Sequence, residues 1–261
     1  MLSGLIITKN LLKGLRSMIF KNIAEVIENV APKELACEWD NVGIMIGDEN
    51  AEIKTVVVSL DFNSEALEFA KSKKADLIIT HHPAIFHKLS GITNNDFLEC
   101  IKNNINVYSA HTNFDTAQGG VNDALCKALK LSDIKANGML RYGKISEMTA
   151  LEFVEYVKKA LNTNGVRVCG DLNKKVTTVG VLGGSGGDEL PLAASSGCDV
   201  YLTGEAAYHE AQMAKEKGII LIAAGHYETE IFMVDALGDY LKENTDLTIY
   251  PFIETNIYKV I

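Results

Sequence analysis

Two adjacent histidines, His81 and His82, directly follow a short apolar run at residues 77–79. The run is typical of a buried strand, and Pro83 disfavours its continuation as a central strand. Imidazole nitrogens are frequent ligands of transition metals in proteins. The pair therefore indicates a metal site at the end of a strand, although two structural histidines explain these residues equally well when they are considered alone.

Two other apolar runs lead to residues of the same chemistry. The run at 105–110 precedes Asp115, and the run at 218–223 precedes His226 and Glu230. His226 and Glu230 are four positions apart, so they share a face if a helix begins at His226. Ligands of open α/β sheets lie beyond the carboxyl ends of the strands, and all of these side chains are predicted to lie there.

The donor atoms of these five residues indicate which metals fit. Imidazole nitrogen and carboxylate oxygen suit Zn²⁺, Fe²⁺ or Mn²⁺ rather than Ca²⁺. A catalytic zinc site typically uses three protein ligands, so five candidates are more than one such site needs. Two ions about 3.5–4 Å apart, which share bridging carboxylates and activate a water for hydrolysis, would use all five. Asp115 and Glu230 are the candidate bridges.

Three further residues are candidates for a catalytic role. His111 precedes Asp115 by four positions and could orient a ligand or transfer a proton, and a buried histidine bonded to backbone is the alternative. Glu205 and His209 have helical spacing after another predicted strand, where they line a substrate cleft or begin a solvated helix. The glycine-rich loop at 183–187 could bind phosphate through backbone N–H groups, and a purely structural turn explains it equally well.

Strands and helices alternate along the chain. The runs that predict strands are at 55–60, 77–80, 105–110, 176–182, 199–202 and 218–223, with one or two closing strands at 248–260. Helical periodicity lies between them, for example in the weak helix at 94–104 and the helix that follows a capping box at 149–152. This alternation predicts an α/β fold with largely parallel sheets.

The composition changes after Asn137 and Gly138, which predicts a domain boundary near this point. We place the first domain at residues 18–135 and 244–261 and the second at 136–243. Residues 1–17 are predicted to form an N-terminal extension before Met18, and a basic amphipathic helix is the alternative.

Composition and charge exclude several classes of protein. The net charge of −9 and the pI of 5.2 argue against a protein that binds nucleic acid by neutralising phosphates. No run approaches the roughly 20 apolar residues that span a bilayer. The five cysteines are widely spaced without a C-x-x-C pair, which predicts a reducing, cytoplasmic location.

Six motifs occur in the order found in a known family and together span about residues 18–260. They are Trp39-Asp-Asn-Val-Gly43, Thr80-His-His-Pro83 with Phe86, His111-Thr-x-x-Asp115 with Gly119-Gly-Val-Asn122, Gly183-Gly-Ser-Gly-Gly187, Thr203-Gly-Glu205 with His209, and Gly225-His226-x-x-x-Glu230. On these motifs the chain resembles the dinuclear metal centre family, the NGG-interacting-factor-three-like proteins that are often named GTP cyclohydrolase 1 type 2 homologues.

The resemblance implies two divalent ions per chain, held by His81, His82, Asp115, His226 and Glu230. It also implies two similar three-layer α/β/α domains with the metal site in the cleft between them. A ring-shaped homohexamer built from dimers is the expected assembly.

These observations predict a metal-dependent hydrolase that acts on a small phosphorylated or nucleotide-like substrate. GTP is suggested by the resemblance alone, since no residue specifically reads guanine. One alternative is a non-enzymatic regulatory or metal-handling protein that binds metal and acts through protein partners. Another is a structural role, in which fully coordinated ions hold the domains together.

Overall fold

The computed structural model describes residues 17–259, so all but the last residue of the predicted N-terminal extension lies outside the described residues. The strands are β1 Met18–Ile19, β2 Gly43–Ile46, β3 Glu52–Ile53, β4 Thr55–Ser59, β5 Leu77–Thr80, β6 Asn106–Ser109, β7 Ser132–Asn137, β8 Leu140–Thr149, β9 Arg167–Cys169, β10 Lys175–Leu182, β11 Val200–Thr203, β12 Ile220–Ala223 and β13 Thr248–Pro251. The helices are α1 Phe20–Val30, α2 Ser64–Lys73, α3 Asn95–Lys102, α4 Thr112–Thr116, α5 Val121–Ala128, α6 Ala150–Ala160, α7 Leu190–Ser195, α8 Tyr208–Lys217, α9 His226–Glu230 and α10 Phe232–Asn244.

The described chain divides into two compact units. The first contains residues 17–118 and 233–255, and the second contains residues 119–232 and 256–259. These limits differ from the domains predicted at 18–135 with 244–261 and at 136–243. The difference arises because Leu125 and Leu129, on and after α5, pack with Phe153 in the core of the second unit.

The first unit is built on a five-stranded sheet with the order β13-β4-β5-β6-β2. β13, β4, β5 and β6 are parallel, and β2 runs antiparallel to β6. Val57, Ile78 and Val107 point to one face, where they pack with residues of α2 and α3. On the other face the Tyr108 hydroxyl lies 3.3 Å from Glu28 of α1. Because successive side chains of a strand alternate in direction, both faces of this sheet are covered by helices.

The second unit is built on a six-stranded sheet with the order β7-β8-β10-β11-β12-β9. Alternating residues of its strands form two separate cores. Val181, Leu202 and Ile222 pack with α6 on one face, whereas Tyr201 and Leu221 pack with residues of α7 and α8 on the other. Each unit therefore has the predicted three layers, and the prediction of an α/β fold is confirmed.

The expectation of largely parallel strands is correct for the first sheet and wrong for the second. In the second sheet only β10, β11 and β12 are parallel to one another, whereas β8 and β9 pair antiparallel with them and β7 pairs antiparallel with β8. The hairpin of β7 and β8 turns at Gly138, which has a positive φ of 60°. Sequence periodicity missed β7 because every one of its residues is exposed, so it shows no apolar alternation.

The end of the chain also differs from expectation. β13 ends at Pro251, and residues 252–259 have no regular structure, whereas one or two strands were predicted at 248–260. Within residues 17–259, no helix combines the length and the apolar character that crossing a membrane requires.

Candidate metal centre

His81 lies at the end of β5 and is fully buried. Its Nδ1 is 2.9 Å from the carbonyl oxygen of Ala110. A carbonyl can only accept a hydrogen bond, so Nδ1 carries the proton and Nε2 presents its lone pair. That Nε2 is 3.6 Å from Oδ1 of Asp115, which is itself buried. Two ligand atoms about 2.0–2.1 Å from one tetrahedral ion would be separated by about 3.4 Å, so this pair fits a shared cation.

His82 is oriented by a carboxylate. Its Nδ1 is 2.7 Å from Oδ1 of Asp61, the residue two positions after β4. The backbone N–H of Asp61 donates to Oε1 of Glu254 at 3.0 Å, and burial raises the pKa of Glu254 to about 7. The hydrogen bond from Nδ1 leaves Nε2 of His82 as the nitrogen available for a ligand bond.

His111, like His82, is oriented by a carboxylate, in this case that of Asp40. Its Nδ1 is 2.8 Å from Oδ1 of Asp40, and the other oxygen of Asp40 accepts from the backbone N–H and the hydroxyl of Thr112. Burial by itself would raise the pKa of Asp40, but the hydrogen bonds from His111 and Thr112 outweigh it and lower that pKa to about 2. Asp40 is therefore ionised near neutral pH and holds the His111 ring in one orientation.

One ring nitrogen from each of His81, His82 and His111 lies within 4.8 Å of the other two. Their ring centroids are 5.1 Å apart for His81 and His82 and 5.1 Å apart for His81 and His111. Each Nδ1 lies within hydrogen-bonding distance of an oxygen acceptor, so Nε2 is the ring nitrogen that could bind a metal ion. Neutral imidazoles with this orientation, next to the Asp115 carboxylate, fit a divalent transition metal.

The backbone under these histidines is held by hydroxyl side chains of the same sheet. Thr80 pairs with Ser109 in the β5–β6 register, and their hydroxyl oxygens are 2.8 Å apart. The Thr80 hydroxyl also donates to the carbonyl oxygen of His82 at 2.8 Å. Both hydroxyl groups are buried with the strand ends, so they fix the direction in which the two histidines leave β5.

The second unit brings together a smaller group. His226 begins α9, and its Nε2 is 3.1 Å from Oε2 of Glu230, which confirms that the two residues share a helical face. Nδ1 of His226 is 3.4 Å from Oε1 of Glu205, the residue that follows β11 and Gly204. Glu230 is only 4% exposed. A buried carboxylate next to imidazole again suits a divalent cation.

The glycine-rich loop after β10 makes room for this group. A Cβ on Gly184 would lie 2.1 Å from Oε1 of Glu230 and 3.2 Å from Nε2 of His226. Gly184 also has a φ of 62°, which side-chain-bearing residues rarely adopt. The position therefore requires glycine so that the carboxylate of Glu230 can approach the backbone.

The same loop does not form the phosphate cradle that was one of its two interpretations. Side-chain oxygens accept hydrogen bonds from three of its backbone N–H groups, which removes these donors from ligand binding. The pairs are Gly183 with Asn122 at 2.8 Å, Gly184 with Thr229 at 3.0 Å and Gly186 with Thr203 at 3.1 Å. The structural interpretation of the loop is the better one.

Of the two remaining candidates, Glu205 lies beside His226, as described above, and His209 faces solvent. The His209 side chain is 73% exposed, and its Nε2 is 3.6 Å from Oε1 of Glu210 on the same helix. Helical spacing from Glu205 did not bring His209 to His226, because α8 begins only at Tyr208.

A family model matches residues 18–257, and its description is Duf34/NIF3 (NGG1p interacting factor 3). The chain belongs to the DUF34/NIF3 family. The resemblance predicted from the motifs is thereby confirmed.

Relatives in the DUF34/NIF3 family cover most of this chain. A GTP cyclohydrolase 1 type 2 homolog of Clostridium perfringens is 34% identical over an alignment of 244 residues, and the match covers 88% of this chain and 93% of the relative. A protein of the same name from Clostridium acetobutylicum is 36% identical over an alignment of 230 residues, and the match covers 82% of this chain and 86% of the relative.

Solved structures of similar proteins have the same fold. A Bacillus cereus protein related to NIF3 matches with a TM-score of 0.88 and 25% identity, over 94% of this chain and 99% of that one. Reduced HcgD from Methanocaldococcus jannaschii matches with a TM-score of 0.78 and 32% identity, over 90% of this chain and 98% of that one.

Sequence reasoning about this DUF34/NIF3 chain missed the acids that orient the histidines. Asp61 follows a predicted strand and gave a weak signal, and Asp40 lies in the motif around Trp39 without a role assigned to it. Glu254 gave no signal, because it is 193 residues from Asp61 along the chain.

Proposed function

We propose that this protein is a metal-dependent hydrolase with a dinuclear centre. The observation that carries the proposal is the orientation of His81 and His82 in the first unit, where each Nδ1 meets an oxygen acceptor, so that Nε2 is the nitrogen that would bind a metal ion, and where one ring nitrogen of each histidine lies within 4.8 Å of the other. Such outer partners are typical of metal-binding histidines, because they fix the tautomer and raise the basicity of the ligand nitrogen.

The proposed ligands come from both units. His81, His82 and Asp115 belong to the first unit, and His226 and Glu230 belong to the second. Neither group alone supplies enough donors for two ions, since a catalytic ion typically takes three protein ligands. We therefore propose that the two groups together would hold two divalent ions, Zn, Fe or Mn, with Asp115 and Glu230 as the carboxylate ligands.

Bound divalent ions would polarise an electrophile and lower the pKa of a water molecule. The chain's own residues then move protons. His111 accepts a proton at Nε2, because Asp40 holds its Nδ1–H and stabilises the imidazolium that forms. Glu205, about half exposed beside His226, is a second group that can exchange a proton with solvent.

The substrate that we propose is a small phosphorylated or nucleotide-like molecule. The proposal is supported by the donor set, which suits hydrolysis, and by the relatives that carry the name GTP cyclohydrolase 1 type 2 homolog. The occupied N–H groups of the glycine-rich loop leave the metal ions as the groups that attract a phosphate.

Metal analysis of three variants tests the ligand set. His82→Ala and Glu230→Gln each change one proposed ligand, from different units, and His87→Ala removes an exposed histidine outside the set as the control. We expect about two ions per chain in the wild type and in His87→Ala, and a loss of metal in both other variants. Full metal content in either His82→Ala or Glu230→Gln contradicts a shared centre.

Turnover is tested with a panel of phosphate esters and nucleotides, including GTP, before and after chelation. Activity that disappears with the metal, returns with zinc, iron or manganese, and is absent in His82→Ala and Glu230→Gln supports the hydrolase. Bound metal without any turnover would favour the non-enzymatic metal-handling protein instead. Light scattering on the same samples tests the proposed homohexamer.

A further inference from the structure

Two exposed aromatic side chains lie beside the histidine cluster of the first unit. Trp39 is 62% exposed and Phe86 is 43% exposed. Their ring centroids are 5.9 Å apart with the planes inclined at 45°. Each ring also meets His111 at a steep angle, with centroid distances of 6.0 Å from Trp39 and 6.5 Å from Phe86. The three rings form one aromatic group, which we call the Trp39 group.

The segment that carries Trp39 is held by the two residues that directly follow it. Asp40 is bonded to His111 and Thr112, and the Asn41 side-chain amide donates to the carbonyl oxygen of Ile85. The second bond joins the Trp39 segment to the residue before Phe86. The backbone under both exposed rings is therefore fixed relative to His111, while the rings themselves stay in contact with water.

This combination is unusual for a side chain without a ligand. A tryptophan buries a large apolar area in most folded proteins, and its exposure leaves that surface in water. Here the neighbouring polar residues hold the exposed rings in place instead of letting the segment fold them inward. A fixed aromatic surface at an open position is suited to stacking against a flat partner, and it loses little side-chain entropy on binding.

The position of the Trp39 group indicates what such a partner is. His111 is in contact with Trp39 on one side, and its ring centroid is 5.1 Å from that of His81 and 5.6 Å from that of His82 on the other. His111 therefore links the exposed rings to the proposed metal ligands His81 and His82. The surface is thus continuous with the place where the substrate reacts.

We propose that Trp39 and Phe86 bind a planar heteroaromatic ring of the substrate by stacking. This inference rests on the proposed function and narrows its substrate class from any phosphate ester to molecules that carry a flat, nitrogen-containing ring, such as nucleotides. Trp39 and Phe86 carry no charge, so they recognise the ring, whereas the metal ligands recognise the phosphorylated or reacting part.

The test uses zinc-loaded wild-type protein and three probes. Guanosine 5′-monophosphate and adenosine 5′-monophosphate carry a heteroaromatic ring, and ribose 5-phosphate has the same sugar phosphate without it. Trp39 is the only tryptophan of the chain, so its fluorescence reports on this site directly. We expect at least one nucleotide to quench the emission and to bind about five- to a hundredfold more tightly than ribose 5-phosphate.

Variants assign the preference to the rings. Calorimetric titration should show that Trp39→Ala and Phe86→Ala lose the preference for the nucleotide, that Trp39→Phe keeps most of it, and that all three retain full metal content. Leu89→Ala is the matched control, because Leu89 is a 48% exposed apolar residue three positions after Phe86 that lacks a ring. It should bind the probes like the wild type.

Several results would overturn the inference. They are equal binding of the nucleotides and ribose 5-phosphate, absence of nucleotide binding, or an unchanged preference in Trp39→Ala. A change in oligomer mass without a change in nucleotide preference would assign the rings to contacts between chains. Failure of the hydrolase proposal is distinct, because it appears as missing metal or missing turnover while the preference for a ring persists.

Discussion

At the scale of single residues, the candidate centre depends on the hydrogen-bond acceptor that each histidine has at Nδ1. His81 is bonded to a backbone carbonyl, whereas His82 and His111 are bonded to the carboxylates of Asp61 and Asp40. These three acceptors set the same tautomer, because each of them accepts a hydrogen bond from Nδ1–H. A carboxylate acceptor also makes the imidazole a better donor to a cation, so Asp61 would affect metal affinity without contacting the ion, whereas Asp40 orients the proposed base, His111.

Replacement of Asp61 by alanine should weaken metal binding without removing a ligand. His82 would lose the acceptor at 2.7 Å from its Nδ1, so both its tautomer and its ring orientation would become variable. The expected loss of metal affinity is about 10- to 100-fold. Competition with a coloured zinc chelator measures this change in affinity.

The control for this experiment is Asp239→Asn, which alters an aspartate on α10 with a 68% exposed side chain. It should leave the zinc affinity unchanged. Wild-type affinity in Asp61→Ala would show that the hydrogen bond to His82 has no effect on the metal.

At the scale of elements, the second unit places its ligands through one short helix and one loop. α9 begins at His226, and Gly225 before it has a φ of 104°. The loop after β10 lies so close to α9 that Gly184 has no space for a side chain. The helix contributes the spacing of His226 and Glu230, and the loop determines where the Glu230 carboxylate lies.

Replacement of Gly184 by alanine should therefore disturb both stability and metal binding. The new methyl group would lie 2.1 Å from Oε1 of Glu230, so the carboxylate must move. The free energy of unfolding of the variant should fall by more than the roughly 1–2 kcal/mol that a left-handed backbone conformation costs a residue with a side chain. Denaturant unfolding and metal analysis measure the two effects.

Gly197→Ala is the matched control. Gly197 also has a positive φ, 77°, but a Cβ at this position meets nothing within 4 Å. The free energy of unfolding of Gly197→Ala should fall only by the cost of the backbone conformation, and this variant should keep its metal. Equal destabilisation of the two variants, with full metal content in both, would refute the role of Gly184 in admitting Glu230.

At the scale of the whole molecule, the chain contains two units, each with its own apolar core. The first unit takes its last strand, β13, from the end of the chain, where it pairs parallel with β4. Ligands proposed for one centre thus belong to both units. Binding of metal to such a centre would couple the stability of the two units, because ions that bind the folded state stabilise it by mass action.

Metal should therefore raise the melting temperature of the whole chain. Zinc at 100 times its dissociation constant contributes about 2.7 kcal/mol, which at roughly 2–4 °C per kcal/mol for a domain of 150–250 residues corresponds to a shift of roughly 5–11 °C. Differential scanning calorimetry with zinc and with chelator measures the shift.

The variants of this experiment again come from both units. His82→Ala and Glu230→Gln should each abolish the shift, and His87→Ala should retain it. A shift that survives in Glu230→Gln at the wild-type size would show that the first unit binds its metal alone.

Local chemistry made several features of this protein predictable. Four-residue spacing put His226 and Glu230 on one helical face, and apolar runs identified the central strands and hence the strand ends that carry the candidate ligands. These signals were reliable because helical spacing and an apolar run are both properties of residues that are neighbours along the chain. Exposed strands such as β7 gave no such signal.

The sequence by itself thus determined the α/β class, the family, and the residue types of the candidate ligands. Only the tertiary structure decided which partner holds each ring, since Asp40 is 71 residues from His111 and Asp61 is 21 residues from His82. It also decided that the glycine loop admits Glu230 and uses three of its backbone N–H groups for hydrogen bonds within the fold. The physical reason is that hydrogen bonds and close contacts between distant segments leave no periodic pattern in the chain, whereas helices and buried strands do.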